Sequence, residues 1–399
     1  MMTWIQGNFR VLLVTWVMFG FGFGVYTNYF QLFLRGLGAN DIQIGLGFSI
    51  FFASSVLGLI FGYALPDAYG RAEVVRKGTF LVSLPPLLYL LAWDFRIVLA
   101  IMGLEGFFTF YHPALVSLTQ DSMPASHAGK GFAIAQLTIV ASLPAPLIGG
   151  YFYATRGLTG LRYALLISFI IALSASIYRY FRLKETFLRN NTGGRNLLVT
   201  IRGSLSGLST SFRLLSSTTI FLLLSAVSLN LGARALVTIY PLYLKDFSIV
   251  DSGLIGFYIT AASVSSSLIA FIIGTIIDRN EKPRVVAGFS FLLIPVSAAI
   301  LLLTKSASLI FVAAILSIGG LGFYLHDFYK LRLFPVEKRA NLNSMFLLSI
   351  QISGIAAGAL GGILYSTSTE YLFVFSGFAF IVSSVCFLRV LATQPTRIN

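Results

Sequence analysis

The sequence is a succession of apolar runs, most of them about 18–25 residues long, separated by short polar turns. A helix rises 1.5 Å per residue, so about 20 residues cross a hydrocarbon core of about 30 Å. Runs of this length suit the interior of a bilayer. Residues 11–34, 42–65, 78–93, 97–120, 131–153, 163–179, 216–244, 252–277, 285–303, 308–329, 341–365 and 371–391 are read as twelve spans. Of 399 residues, 57% are hydrophobic and 11% charged, which leaves too little polar surface for a water-soluble body of this size. The runs lack period-two alternation, which argues against a β-barrel. The first run, Val11 to Leu34, is too long for a signal h-region and has no small-residue cleavage site, so it is expected to be a span. The expected fold class is an all-α membrane protein with twelve transmembrane helices in two pseudo-symmetric six-helix bundles.

A net charge of +14 raises the question of nucleic acid. The positions of the charges argue against it. With twelve spans, 21 of the 28 lysines and arginines fall on one side, counting Arg179 and Arg389 at span ends, six fall on the other, and Arg234 alone lies well inside a span. That asymmetry marks the cytoplasmic side and puts both termini there, as for a multi-pass protein of the plasma membrane. The single cysteine, Cys386, rules out a disulfide within the chain. No nucleophile–histidine–acid set, H-E-x-x-H, Walker loop or Cys/His metal spacing is present, so neither an enzyme nor a bound cofactor or metal is expected.

The chain repeats itself. Leu32, Leu34, Arg35 and Asp41 lie over Leu242, Leu244, Lys245 and Asp251 at an offset of 210. Asp67 lies over Asp278 at 211, and "APLIGGYFY" (145–153) over "AGALGGILY" (357–365) at 212. The implied domains are an N-terminal bundle (1–181), a linker (182–215) and a C-terminal bundle (216–399). Leu198, Ile201, Leu205, Leu208, Phe212 and Leu215 have helical spacing, which suggests an amphipathic helix at the membrane surface; a flexible Gly/Ser linker is the alternative. Two parallel halves are what a rocking carrier needs.

Three motifs carry a resemblance. "GYALPDAYGR" (62–71) places Asp67, Gly70 and Arg71 between spans two and three, and "GTIIDRNEKPR" (274–284) places Asp278, Arg279 and Lys282 in the equivalent loop. "SLPAPLIGGYFY" in span five places Pro146, Gly149 and Gly150. On these the sequence resembles the major facilitator superfamily over essentially its whole length, nearest to the exporter branch. The resemblance implies that the two loops latch and unlatch during alternation, and that spans one, four, seven and ten line a central cavity. Chemistry alone allows the two aspartates to cap a helix N-terminus or hold nearby bases. Met102 stands where many proton-coupled exporters carry an arginine.

Ionisable groups inside a bilayer are costly and tend to face a cavity. Glu105 and His112 lie in span four, Arg234 in span seven, and His326 and Asp327 in span ten. Glu105, Thr109 and His112, at i, i+4 and i+7, are expected on one face, as are Asn230, Arg234 and Thr238. Glu105 is the leading proton carrier, with Asp327, His112 and His326 as alternates. Arg234 would hold an anionic group or pair with an acid. Asn28, Gln31, Tyr26, Thr109, Asn230 and Tyr240 complete the candidate cavity. The bland alternatives are a fixed Glu105–Arg234 pair, an Asp327–Lys330 pair and histidines that merely bond neighbouring helices.

The expected activity is secondary transport of a small organic solute by alternating access, as proton-coupled export. Uptake of a sugar, organic acid or other metabolite is the alternative, and a receptor or sensor on a transporter scaffold is the alternative of another class. The expected partners are the solute, protons and membrane lipids, with no nucleic acid, and the chain is expected to be monomeric.

Overall fold

The computed structural model describes residues 5–123, 134–135, 138, 140–186, 215–279, 283–317, 321–334 and 339–393. The proposed interfacial helix of the linker lies outside these residues. Among them the helices are α1 (Gly7–Gly24), α2 (Phe30–Gly36), α3 (Asp41–Gly62), α4 (Leu65–Tyr69), α5 (Arg71–Ser83), α6 (Pro85–Leu91), α7 (Phe95–Phe108), α8 (His112–Asp121), α9 (Ala145–Arg182), α10 (Ser217–Asp246), α11 (Ile255–Arg279), α12 (Pro283–Leu303), α13 (Ala307–Ser317), α14 (Leu321–Leu333), α15 (Arg339–Thr367) and α16 (Thr369–Ala392). No strand occurs among the described residues. Eleven stretches there are long and apolar enough to cross a membrane. Phe289 and Phe378 are 65% and 66% exposed, so the outer faces of these helices suit lipid and not water.

The longest helix, α9, is two arms. Gly157 interrupts it at φ 55° and ψ −128°, a backbone that a side chain disfavours. The rings of Phe152 and Tyr163 then meet at 6.0 Å. Eleven residues of continuous helix would hold them about 16 Å apart along the axis, so the chain has turned back. The reading of spans five and six as separate crossings depends on this reversal. Its counterpart 211 residues later is Ser368, the single residue between α15 and α16. There the backbone is extended and the Ser368 hydroxyl accepts the Glu370 amide at 3.1 Å, a side-chain cap.

Spans one and four are broken. A 3-10 turn over Thr27–Tyr29 separates α1 from α2, and one over Thr109–Tyr111 separates α7 from α8. Pro113 explains the second break: it lacks the amide that would bond the Thr109 carbonyl. Pro85 and Pro86 divide span three in the same way.

The chain forms two compact units: residues 1–39, 50–206 and 252–257, and residues 40–49, 207–251 and 258–399. In the first, Leu12 of α1, Val75 of α5, and Ala114 and Leu118 of α8 share an apolar core. In the second, α10 packs on α15 and α16, and the stacked rings of Phe291 and Phe387, 4.1 Å apart, join α12 to α16.

Candidate functional site

Glu105 sits half-buried on α7. Its Oε2 accepts a 2.5 Å hydrogen bond from the hydroxyl of Tyr89 on α6, and no cation pairs with it among the described residues. A phenol donating to a carboxylate makes a short, charge-assisted bond. Tyr89 is fully buried and its ring packs on Phe30, the first residue of α2, at 4.8 Å. Four residues on from Glu105, the Thr109 hydroxyl bonds its own Gly106 carbonyl at 2.8 Å and lies 3.0 Å from the Ser55 hydroxyl of α3.

The broken part of span one has its own partners. Tyr26 and Gln31 are each 4% exposed. The Asn28 amide donates to the Gly256 carbonyl at 3.0 Å. The Tyr29 hydroxyl donates to the Gly253 carbonyl at 2.9 Å and accepts the Gly256 amide at 3.0 Å. Residues 253–256 are thereby clamped, and the span-five motif forms the other jaw. A Cβ on Gly150 would strike the Gly253 carbonyl, and one on Gly256 would meet Pro146 at 3.0 Å. One on Gly149 would strike the Val25 carbonyl, so both motif glycines serve close backbone approach.

In the second unit, Asn230 is buried and donates to the Ile350 carbonyl at 2.9 Å and to the Ser353 hydroxyl at 2.8 Å, fixing α10 to α15. Its own carbonyl accepts Nε of the half-buried Arg234 at 3.3 Å, which orients the guanidinium. The Thr238 hydroxyl bonds back to the Arg234 carbonyl. Tyr240 is 3% exposed and donates to the Ile310 carbonyl at 3.2 Å, an inter-helix tie.

Several expectations are corrected. His112 and Glu105 lie on opposite sides of a break in the helix. The 3-10 turn advances about 120° per residue in place of 100°, so three residues add about 60° and leave His112 about 40° round the axis from Glu105. His112 begins α8 exposed, edge-on to Tyr111. His326 is enclosed in the second unit, with Nε2 2.9 Å from the Ser225 hydroxyl and its ring edge-on to Phe291 and Phe387. Asp327 is exposed and ion-paired to Lys330 on the same helix. Nor are deep charges confined to spans one, four, seven and ten. Arg179, in the last turns of α9, is 1% exposed. Its Nε donates to the Thr15 hydroxyl at 2.8 Å, its guanidinium lies 4.8 Å from the Phe19 ring centroid and beside the Tyr111 phenol, and Nη1 and Nη2 make no hydrogen bond of good geometry among the described residues.

The loop after span two is bound to acids that the motif alone does not reveal. Gly70, at φ 93°, leads into α5, whose first amides, those of Arg71 and Ala72, are accepted by Glu185 at 3.1 and 3.0 Å. The Arg71 side chain pairs with Asp121 at the end of α8, and the Thr186 hydroxyl bonds the same carboxylate at 2.9 Å. The side chains of Asp67, Asp278 and Arg279, and the whole of Lys282, lie outside the described residues. Tyr89 had no signal among 18 tyrosines; Glu185, an acid just past a span end, had a weak one.

The family model of the Major Facilitator Superfamily matches residues 11–326 and 251–399. An uncharacterised MFS-type transporter of Methanocaldococcus jannaschii is 22% identical over 97% of this chain and 99% of its own length. A multi-drug resistance efflux pump PmrA homolog of Lactococcus lactis is 24% identical over 69% of this chain and 68% of its own. Among solved structures, the nucleoside transporter NupG matches at a TM-score of 0.72 and 12% identity, covering 98% of this chain and all of its own. A bacterial homologue of the iron transporter ferroportin, inward-facing, matches at 0.70 and 15%, covering 97% and 100%.

Proposed function

Because this chain belongs to the Major Facilitator Superfamily, we propose that it exports a small organic solute by alternating access, driven by proton influx. The chain is a membrane transporter and not an enzyme. The finer reading is carried by Glu105, a half-buried carboxylate within a span whose bond is to a phenol and not to a cation. Such a group is costly as a bare anion, and proton uptake relieves that cost. Export is supported by the efflux-pump relative and by Pro146, Gly149 and Gly150 in the span-five motif.

In this reading the halves 1–181 and 216–399 are the moving bodies, with both termini cytoplasmic in the plasma membrane. Arg234, held toward its task by Asn230, binds an anionic group of the solute. Tyr26, Gln31 and Thr109 are further contacts. Asn28, Asn230 and Tyr240 serve the frame, since each ties one segment to another. The loops around Arg71 and Arg279 act as the latch. Proton uptake is assigned to Glu105 in preference to His112, His326 and Asp327.

The test is transport in proteoliposomes with an imposed pH gradient. Glu105→Gln should abolish gradient-driven flux and spare solute exchange. Driven flux at the wild-type rate would end the coupling role, and the absence of any saturable flux in the wild type would favour a receptor. Uptake of an organic acid is the second reading, favoured by Arg234; flux in right-side-out vesicles decides the direction.

A further inference from the structure

We infer that Tyr89 is the positioning residue through which the protonation state of Glu105 reaches the break in span one, and with it the clamp that Asn28 and Tyr29 place on residues 253–256. This rests on the reading of Glu105 as the proton carrier. Four contacts in a row carry it, all within the first compact unit. The Tyr89 hydroxyl donates to Glu105 at 2.5 Å. The Tyr89 ring packs on Phe30 at 4.8 Å. Phe30 follows the 3-10 turn Thr27–Tyr29 directly. Asn28 and Tyr29, inside that turn, make the three hydrogen bonds to Gly253 and Gly256.

The 3-10 turn is the element with two arrangements. Its geometry is poorer than that of an α-helix, and short runs of it often mark hinges. Relaxing Thr27–Tyr29 into α-helix would turn Asn28 and Tyr29 by up to about 60° about the helix axis. A rotation of that size carries the Tyr29 hydroxyl off both of its partners and opens the clamp. Ionised Glu105 holds Tyr89 by a charge-assisted bond, roughly twice as strong as a neutral one. Protonation weakens that hold, frees the Tyr89 ring to shift, and removes the support under Phe30. Among the described residues, the titratable groups facing Glu105 are Tyr89 from α6 and Tyr26, just before the 3-10 turn, whose ring packs on Phe30 at 6.0 Å.

The experiment reads the clamp without needing a substrate. In full-length protein with Cys386→Ser, a cysteine replaces Ser252 beside the clamp. Its rate of modification by a methanethiosulfonate reagent is measured from pH 5 to 8, each rate divided by that of the same protein carrying Glu105→Gln. The wild-type ratio should change several-fold across a titration. Tyr89→Phe removes a donor from the carboxylate and should move the midpoint upward by about one pH unit. Phe30→Leu keeps the Tyr89–Glu105 bond and should leave the midpoint in place while reducing the amplitude. If both variants follow the wild-type curve, Tyr89 transmits nothing and this inference is overturned alone. If Tyr89→Phe does not fold, a wild-type amplitude in Phe30→Leu overturns it. A ratio flat with pH in the wild type overturns the inference; the proton-carrier reading falls with it only if Glu105→Gln also keeps gradient-driven flux.

Discussion

Glu185 accepts the Ala72 amide at 3.0 Å, so the first turn of α5 is capped by a carboxylate 113 residues further along the chain. The same side chain accepts the Arg71 amide, so two otherwise orphaned helix donors share one anion at the positive end of the helix dipole. Glu185→Ala should lower stability by about 1–2 kcal/mol, with Glu185→Gln intermediate. Thermal unfolding in detergent measures this; an unchanged midpoint for both would mean that solvent serves those amides equally well.

Gly256→Ala drives a methyl group into the Tyr29 ring and against Pro146. Overpacking of this kind costs about 1–3 kcal/mol. Tyr29→Leu in the same chain removes the ring and should return part of the loss. A double variant no better than the single one would place the strain on Pro146.

His326 is 3% exposed between two aromatic rings, and its bond to Ser225 lies in a knot of hydroxyls shared with Ser383. His326→Leu should cost about 1–3 kcal/mol through the hydroxyl left short of a partner. The pH profile of transport should keep its shape, because water does not reach the ring. A displaced profile in that variant would make His326 a proton carrier after all.

Arg179 is a buried guanidinium whose neighbours among the described residues are the Thr15 hydroxyl, the Phe19 ring and the Tyr111 phenol, with no carboxylate to balance its charge. Arg179→Met keeps the length of the side chain and its contact with Phe19. It should fold with stability within about 1 kcal/mol of the wild type, or above it. Arg179→Ala leaves a cavity and should lose about 2–4 kcal/mol. A large loss in the methionine variant would show that the charge is satisfied in the membrane in a way that its Thr15 bond does not reveal.

Much of this was legible in the chain alone, for physical reasons. Bilayer thickness fixes helix length, so a helical membrane fold is readable from the apolar runs, eleven of which are long apolar stretches among the described residues. Glu105 stood out because a carboxylate deep in a span is costly wherever it points. What failed was direction. Pro113 signals a break between Glu105 and His112 that the i, i+7 spacing alone does not include. His326 and Asp327 are neighbours in sequence, yet one is enclosed by rings and the other is exposed beside Lys330. Arg179 reads as a base at a span end because it lies three residues from the end of its helix, and only packing shows it buried.

The tight reversals at Gly157 and Ser368 bear on how the helices they join can move. Two helices joined through one residue leave no slack between them, so neither can slide far along its axis without the other. Each such pair moves as one hairpin, and a residue that cannot hold the positive φ of Gly157 would disturb both of its arms at once.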